Sequence, residues 1–109
     1  MKRGEIWTVS GAPGYGSKPR PALIVQSDLL GGAQSVLTCG FTTQPNLDLP
    51  FRPWIERSSD NGLDHSSSVM ADKLAAVSRT KLGERIGELS EGDMTRVEHA
   101  MLLALGFEG

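Results

Sequence analysis

All six prolines of the 109-residue chain fall within its first 53 residues, and thirteen glycines punctuate its whole length. Proline removes a backbone donor and glycine weakens the interior of any regular element, so this punctuation leaves no room for a long helix in the first two thirds. What remains there is a series of short strands joined by turns. Residues 5–9 (EIWTV) alternate polar and apolar side chains, as a half-buried strand does. Residues 10–19, with three glycines and two prolines, are a loop. The apolar run at 22–25 has the length of a buried central strand, and residues 35–42 form the next strand, in which Gly40 marks a bulge or a close backbone approach. Pro50 and Pro53 place residues 49–57 at a sheet edge, and residues 58–62 (SSDNG) are a turn. Residues 68–78 read as one or two strands. Only after Ser90 does the period change to that of a helix. Ser90 is the expected N-cap, Met94, Val97, Met101 and Leu105 make one apolar stripe, and Gly106 ends the helix.

Composition agrees with one small domain spanning residues 1–109, 39% hydrophobic and 22% charged. No apolar run approaches the roughly 18 residues of a membrane span. The basic start, Met1-Lys2-Arg3, has no apolar segment behind it, so no signal peptide is expected. A single cysteine, Cys39, excludes an intrachain disulfide and any multi-cysteine metal site. A soluble, cytoplasmic protein is the expectation. The net charge of −2 is unevenly divided: residues 1–57 carry six basic and four acidic side chains, residues 58–109 five and nine. An anionic ligand is therefore directed toward the first half, where Lys18, Arg20 and Arg52 lie.

Several constellations bear on chemistry. The glycine-rich stretch 11–16 lacks the helix start that a phosphate-binding P-loop requires, because Lys18 is followed by Pro19-Arg20-Pro21 and a strand. Asp64-His65-Ser66 has the residue types of a hydrolase triad, but three consecutive side chains do not converge on one another. His65 and His99 lack neighbours at metal-ligand spacing, and Cys39 sits in a strand as an apolar filler. Arg20 is held between two prolines where the loop meets the buried strand. It suits bidentate contact with phosphate oxygens, or a structural pairing with a carboxylate such as Asp72. Thr42, Thr43 and Gln44 end their strand with two hydroxyls and an amide, a set able to orient an anion or simply to cap the strand. Asp72 is the one carboxylate in an otherwise apolar stretch, either salt-bridged or tuned for acid–base work.

Taken in order, Arg3-Gly4-Glu5-Ile6-Trp7, Lys18-Pro19-Arg20-Pro21-Ala22-Leu23-Ile24-Val25, Thr42-Thr43, Asn61-Gly62-Leu63, Ser68-Val69-Met70-Ala71-Asp72 and Arg85-Ile86-Gly87 resemble the MazF/PemK (Kid) family of toxin endoribonucleases from bacterial toxin–antitoxin systems. The resemblance covers about residues 2 to 107. It implies a mainly β fold, an SH3-like antiparallel β-barrel closed by a C-terminal helix, assembled as a homodimer. It implies sequence-specific cleavage of single-stranded mRNA without metal or cofactor, and inhibition by a cognate antitoxin. In that chemistry the ribose 2′-hydroxyl attacks the adjacent phosphorus, leaving a 2′,3′-cyclic phosphate and a 5′-hydroxyl.

Carried over position by position, the resemblance makes Arg20, Thr42 and Asp72 catalytic: Arg20 stabilises charge at phosphorus, Thr42 hydrogen-bonds the scissile phosphate, and Asp72 matches a general base of some members. Thr43 matches a neighbouring Ser/Thr position. Lys18, Gln44 and Arg52 join it as substrate contacts, and Tyr15 is placed to stack on a base or to stand as an exposed loop tyrosine. Some relatives have a histidine in the first loop, where this chain has Gly14-Tyr15-Gly16-Ser17, and an arginine where it has Met70. Two alternatives belong with this reading. One is a gyrase poison of the CcdB type, which shares the fold but relies on a tryptophan near its C-terminus, absent from residues 105–109. The other is a catalytically silent member that only binds its antitoxin.

Overall fold

The computed structural model describes residues 1–10, 18–45 and 49–107. Among the described residues, seven strands precede one α-helix: β1 (Glu5–Val9), β2 (Arg20–Ile24), β3 (Ser35–Thr42), β4 (Trp54–Ile55), β5 (Ser67–Val69), β6 (Ala75–Ser78), β7 (Leu82–Glu88) and α1 (Glu91–Ala104). Short 3-10 turns at Asp28–Leu30, Ala71–Lys73 and Arg79–Lys81 join them. All strand pairs are antiparallel, in the order β4-β5-β3-β2-β1-β7, with β6 also on β3. The result is a strongly bent half-barrel of mainly β structure closed by α1, as the sequence pattern predicts.

The bend has a local cause in β3. One edge of β3 pairs with β6 over residues 35–38 and with β5 at Phe41 and Thr42. Between the two, the Met70 N–H donates to the Gly40 carbonyl at 2.9 Å. A Cβ on Gly40 would lie 3.1 Å from the Met70 Cε, so the close approach expected at this glycine is real. The opposite edge of β3 pairs with β2, which lies between β1 and β3 as the apolar run at 22–25 requires. Residues 68–78 resolve into two strands separated by the turn that carries Asp72.

Ile6, Leu23, Val25, Cys39, Ile55, Leu63, Val69, Leu89 and Val97 form the core, with Phe41, Leu74, Ile86, Met94 and Met101 packed against it. The Ser90 hydroxyl accepts the Asp93 N–H at 3.1 Å, so the helix begins at its expected cap. It ends in a Schellman arrangement: Gly106 adopts φ +79, its N–H reaches the Leu103 carbonyl, and the Phe107 N–H reaches that of Leu102. The apolar stripe is accordingly shorter than expected. Val97 and Ala100 are buried and Met94 and Met101 pack on the core, whereas Leu105, already at the cap, is half exposed.

β7 is the strand that the sequence pattern does not display. Its only large apolar residues, Leu82 and Ile86, stand four apart, and its pairing with β1 is broken by two register shifts. Tertiary packing, not alternation, makes it a strand. The 58–62 turn that packs against it is built by Asn61, whose side-chain carbonyl accepts the N–H groups of Ser58 and Leu63 and whose amide donates to the Glu56 carbonyl. Gly62 follows at φ +68 against the backbone of β7, where a Cβ would lie 1.9 Å from the Ile86 carbonyl oxygen.

Gly62→Ala is therefore expected to destabilise the fold by at least about 2 kcal/mol, which lowers Tm by about 10 °C. Gly92→Ala, in the first turn of α1 with open space around its Cα, is expected to raise stability by up to about 1 kcal/mol. Urea and thermal unfolding of both variants check the contrast; a Gly62→Ala protein as stable as the parent would contradict it.

Candidate functional site

The end of the sheet where β2 begins and β3 finishes gathers the polar residues singled out by sequence. β2 and β3 are registered Ala22↔Gly40, Leu23↔Cys39 and Ile24↔Thr38. Continued by two residues, that register brings Arg20 level with Thr42, on the face shared with Ala22 and Gly40. Arg20 is also opposite Val9 of β1, and Thr42 is opposite Ser68 of β5. The strand ladder therefore sets the Arg20–Thr42 relation from both flanks. Arg20 is exposed and Thr42 half-buried. The Thr42 oxygen accepts the Gln44 N–H at 3.2 Å, which leaves the hydroxyl proton available to donate. Lys18, Thr43 and Gln44 are exposed on the two segments that flank this pair. Tyr15 lies outside the described residues.

Asp72 reaches the neighbourhood by another route. β5 ends at Val69, Met70 closes on Gly40, and the turn that follows packs against both β3 and α1. There Arg52 grips Asp72 with a fork: Nε to Oδ1 at 2.8 Å and Nη2 to Oδ2 at 3.1 Å. The two side chains are only 15% and 26% exposed. The hydrogen bonds from Arg52 are the main reason that the Asp72 carboxyl lies below its ordinary pKa, and the same contact raises the Arg52 guanidinium. Behind the pair, burial and then the Asp72 charge push the Cys39 thiol up to about 11, the state of an inert core cysteine.

The structure thus places the predicted residues in two groups. Arg20 and Thr42 come level through strand register, with Lys18, Thr43 and Gln44 around them. Arg52 and Asp72 come together as an ion pair beside β3, so Asp72 is salt-bridged. Arg52, expected to face a substrate, has two of its three nitrogens committed to Asp72. The sequence carried no signal for this pairing, because twenty residues separate the partners and no period links them.

Two cavities flank this region. The larger, about 770 Å³, lies between residues 56–61 and 85–93 and includes neither Arg20, Thr42 nor Asp72. The smaller, about 370 Å³, lies between residues 49–54 and α1 and is lined by Arg52, Trp54, Arg96 and His99 among others. Asp64-His65-Ser66 makes no triad: the Ser66 hydroxyl donates to Glu56 at 2.9 Å and accepts the Arg57 N–H. Among the described residues, no group of three or more His, Cys, Asp or Glu is arranged to hold a metal ion, and no helix is long and apolar enough to cross a membrane.

Comparison with known proteins bears directly on this arrangement. Residues 2–105 match the family described as "PemK-like, MazF-like toxin of type II toxin-antitoxin system". The chain is 42% identical to a probable endoribonuclease MazF of Mycolicibacterium smegmatis over 110 residues, covering the whole of both proteins. Among solved structures, it is similar to an endoribonuclease in complex with its cognate antitoxin from a mycobacterial species, with a TM-score of 0.84, 25% identity and coverage of 100% and 98% of the two chains. A MazE–MazF structure from Deinococcus radiodurans shares the fold at a TM-score of 0.79 and 20% identity, covering 99% and 97%.

Folding lowers the Asp72 pKa below its ordinary value of 3.8, so the folded state binds fewer protons at this group. The stabilisation is complete above that value and drains away as pH falls through the folded pKa. The stability difference between the protein and an Asp72→Asn variant, read from urea midpoints, is expected to hold constant from about pH 7 to pH 5 and to shrink below about pH 4. A difference that stays flat through the acid range would remove the ion pair from the stability of this region.

Proposed function

Because the chain belongs to the PemK-like, MazF-like toxin family of type II toxin–antitoxin systems, we propose that it is an endoribonuclease that cleaves single-stranded mRNA through its own 2′-hydroxyl groups. The observation that carries this reading is the register that sets an exposed arginine, Arg20, level with a hydroxyl donor, Thr42, at one end of the sheet. In-line attack of a ribose 2′-oxygen on the adjacent phosphorus needs no protein nucleophile. It needs stabilisation of the charge that accumulates on the non-bridging oxygens, a base for the 2′-proton and a proton for the departing 5′-oxygen. The Arg20 guanidinium and the Thr42 hydroxyl supply the first of these. Asp72, held ionised beside β3, is the proton acceptor. The 2′-O–P bond forms as the P–O5′ bond breaks and the departing 5′-oxygen takes a proton from solvent water, leaving a 2′,3′-cyclic phosphate and a 5′-hydroxyl.

Lys18, Thr43 and Gln44 then hold the flanking RNA, and Tyr15 stacks on an unpaired base. Neutralising phosphates with these few cations makes binding salt-dependent. The chain works as a cytoplasmic homodimer restrained by a cognate antitoxin; the antitoxin is supported by the complex in which its mycobacterial structural relative was solved.

The test is cleavage of a mixed-sequence RNA in EDTA by the protein and by Arg20→Ala. Cyclic-phosphate ends are expected from the parent, and a rate lower by about 10²–10³-fold or more from the variant. Intact RNA alongside inhibited DNA supercoiling would replace this reading with a gyrase poison. Intact RNA with tight antitoxin binding would replace it with a silent antitoxin partner.

A further inference from the structure

We infer that Arg52 is a positioning residue of the cleavage reaction: it clamps the Asp72 carboxylate in one orientation beside β3, and acts on the RNA only through that carboxylate. The inference rests on the reading of Asp72 as the proton acceptor, and it moves Arg52 out of the set of direct phosphate contacts.

Three observations carry it. The first is the fork itself. Two nearly parallel N–H···O bonds, at 2.8 and 3.1 Å to different oxygens, fix the plane and the rotation of the carboxylate, which a single contact leaves free. The second is the backbone around it. The Ala71 N–H donates to the Phe51 carbonyl at 3.2 Å, the Val69 N–H to Pro53 at 2.9 Å, and the Arg52 N–H to Leu49 at 3.1 Å. The segment that carries Arg52 therefore runs bonded along the segment that leads into Asp72, which holds the two backbones at a fixed separation. The third is what the fork leaves over. The Asp72 carboxylate accepts two bonds from Arg52 and one from its own backbone N–H, fewer than the roughly four its two oxygens can take, so it retains capacity to accept a 2′-proton. Arg52, with Nε and Nη2 engaged, has lost the paired face it would need for bidentate contact with a phosphate.

The charged groups around Asp72 make Arg52 the partner that sets its state. Lys73 lies on the same turn and adds a weaker pull in the same direction. Cys39 of β3 stays neutral. Arg96 and His99 of α1 line the cavity that Arg52 also lines. Removal of Arg52 thus frees the carboxylate to rotate and lets it take up a proton at higher pH.

The experiment compares Asp72→Asn, Arg52→Gln, Arg52→Lys and the Arg52→Gln/Asp72→Asn double variant, in steady-state cleavage of a defined RNA across pH. Circular dichroism and thermal melts establish that each variant is folded. Asp72→Asn comes first: a loss of about 10²-fold or more in kcat is expected, and activity close to that of the parent would remove Asp72 as the base, and the inference with it. Given that loss, Arg52→Gln is expected to lower kcat about tenfold or more with KM nearly unchanged, and to move the acid limb of the kcat profile to higher pH. Arg52→Lys is expected to restore the acid limb, because the charge returns, but not the full kcat, because a single ammonium cannot reproduce the fork. In the double variant, Arg52→Gln should add no further loss. Two outcomes would overturn the inference while leaving the base intact. One is a raised KM with kcat and the acid limb unchanged, as a phosphate contact gives. The other is an additive loss in the double variant, as a structural role gives.

Discussion

β3 changes partners along one edge, and the placement of the candidate site depends on that change. A strand that kept a single neighbour along its length would extend a flat sheet. Here the edge belongs to β6 over residues 35–38 and to β5 at residues 41–42. The chain that leaves one neighbour and returns as the other turns at Met70, over Gly40. A side chain at position 40 would press on the Met70 methyl. Glycine there lets the turn close on the strand, and the turn in turn carries Asp72 to its place between β3 and α1. The same change pairs the end of β3 with β5, so that Thr42 stands opposite Ser68 at the end of the sheet where β2 begins. Partner exchange on one strand thus positions both halves of the proposed machinery.

Charge follows a comparable logic. The chain is acidic overall, and its basic side chains are mostly spent inside the protein. Arg3 pairs with Glu98, Arg52 with Asp72, Arg85 with Glu5, and Arg96 with Asp93. Arg79 donates to the carbonyls of Ala33 and Gly31 and so pins the turn after Asp28–Leu30. The exposed pairs contribute little each to stability, but they withdraw cations from the field that a polyanion would feel. Of the three basic residues in the first half toward which the sequence directs an anion, Lys18 and Arg20 lie exposed at the start of β2, and Arg52 is committed to Asp72.

Sequence and structure agree where a local rule decides the outcome. β1 and β2 were legible from alternation and from a short apolar run, the 58–62 turn from its Asn-Gly pair, and both helix ends from Ser90 and Gly106. The family resemblance extended this to the half-barrel and its closing helix. Disagreement arises where the determinant is non-local. β7 is held by β1 and by the backbone of residues 60–61, and its own residues show no strand period. Leu105 fits the helical stripe by spacing, yet the cap comes one residue too early to bury it. The Arg52–Asp72 pair spans the segment between two sheet edges, so neither residue announces the other. Arg20 and Thr42 were legible only as separate polar residues at strand ends; that they stand level follows from the register, which no single-sequence pattern sets.

A cleavage reaction that uses the substrate's own hydroxyl as nucleophile asks the protein for position and little else, and the β2–β3 rim meets that demand through its backbone. Pro19 and Pro21 restrict the dihedral angles on either side of Arg20, so the chain has surrendered much of its freedom there before any ligand arrives. Pro21 is tolerated in an interior strand because it sits one residue from the strand's start, where one missing donor costs least. On the other strand, Thr42 is tied on one side to Ser68 and through its hydroxyl to Gln44. The backbone ordering at the two positions is thus carried by folding and not by substrate binding, which favours the proposed stabilisation of charge at phosphorus by one guanidinium and one hydroxyl. The side chain of Arg20 remains exposed on this fixed backbone, so the final alignment is completed by the phosphate it meets.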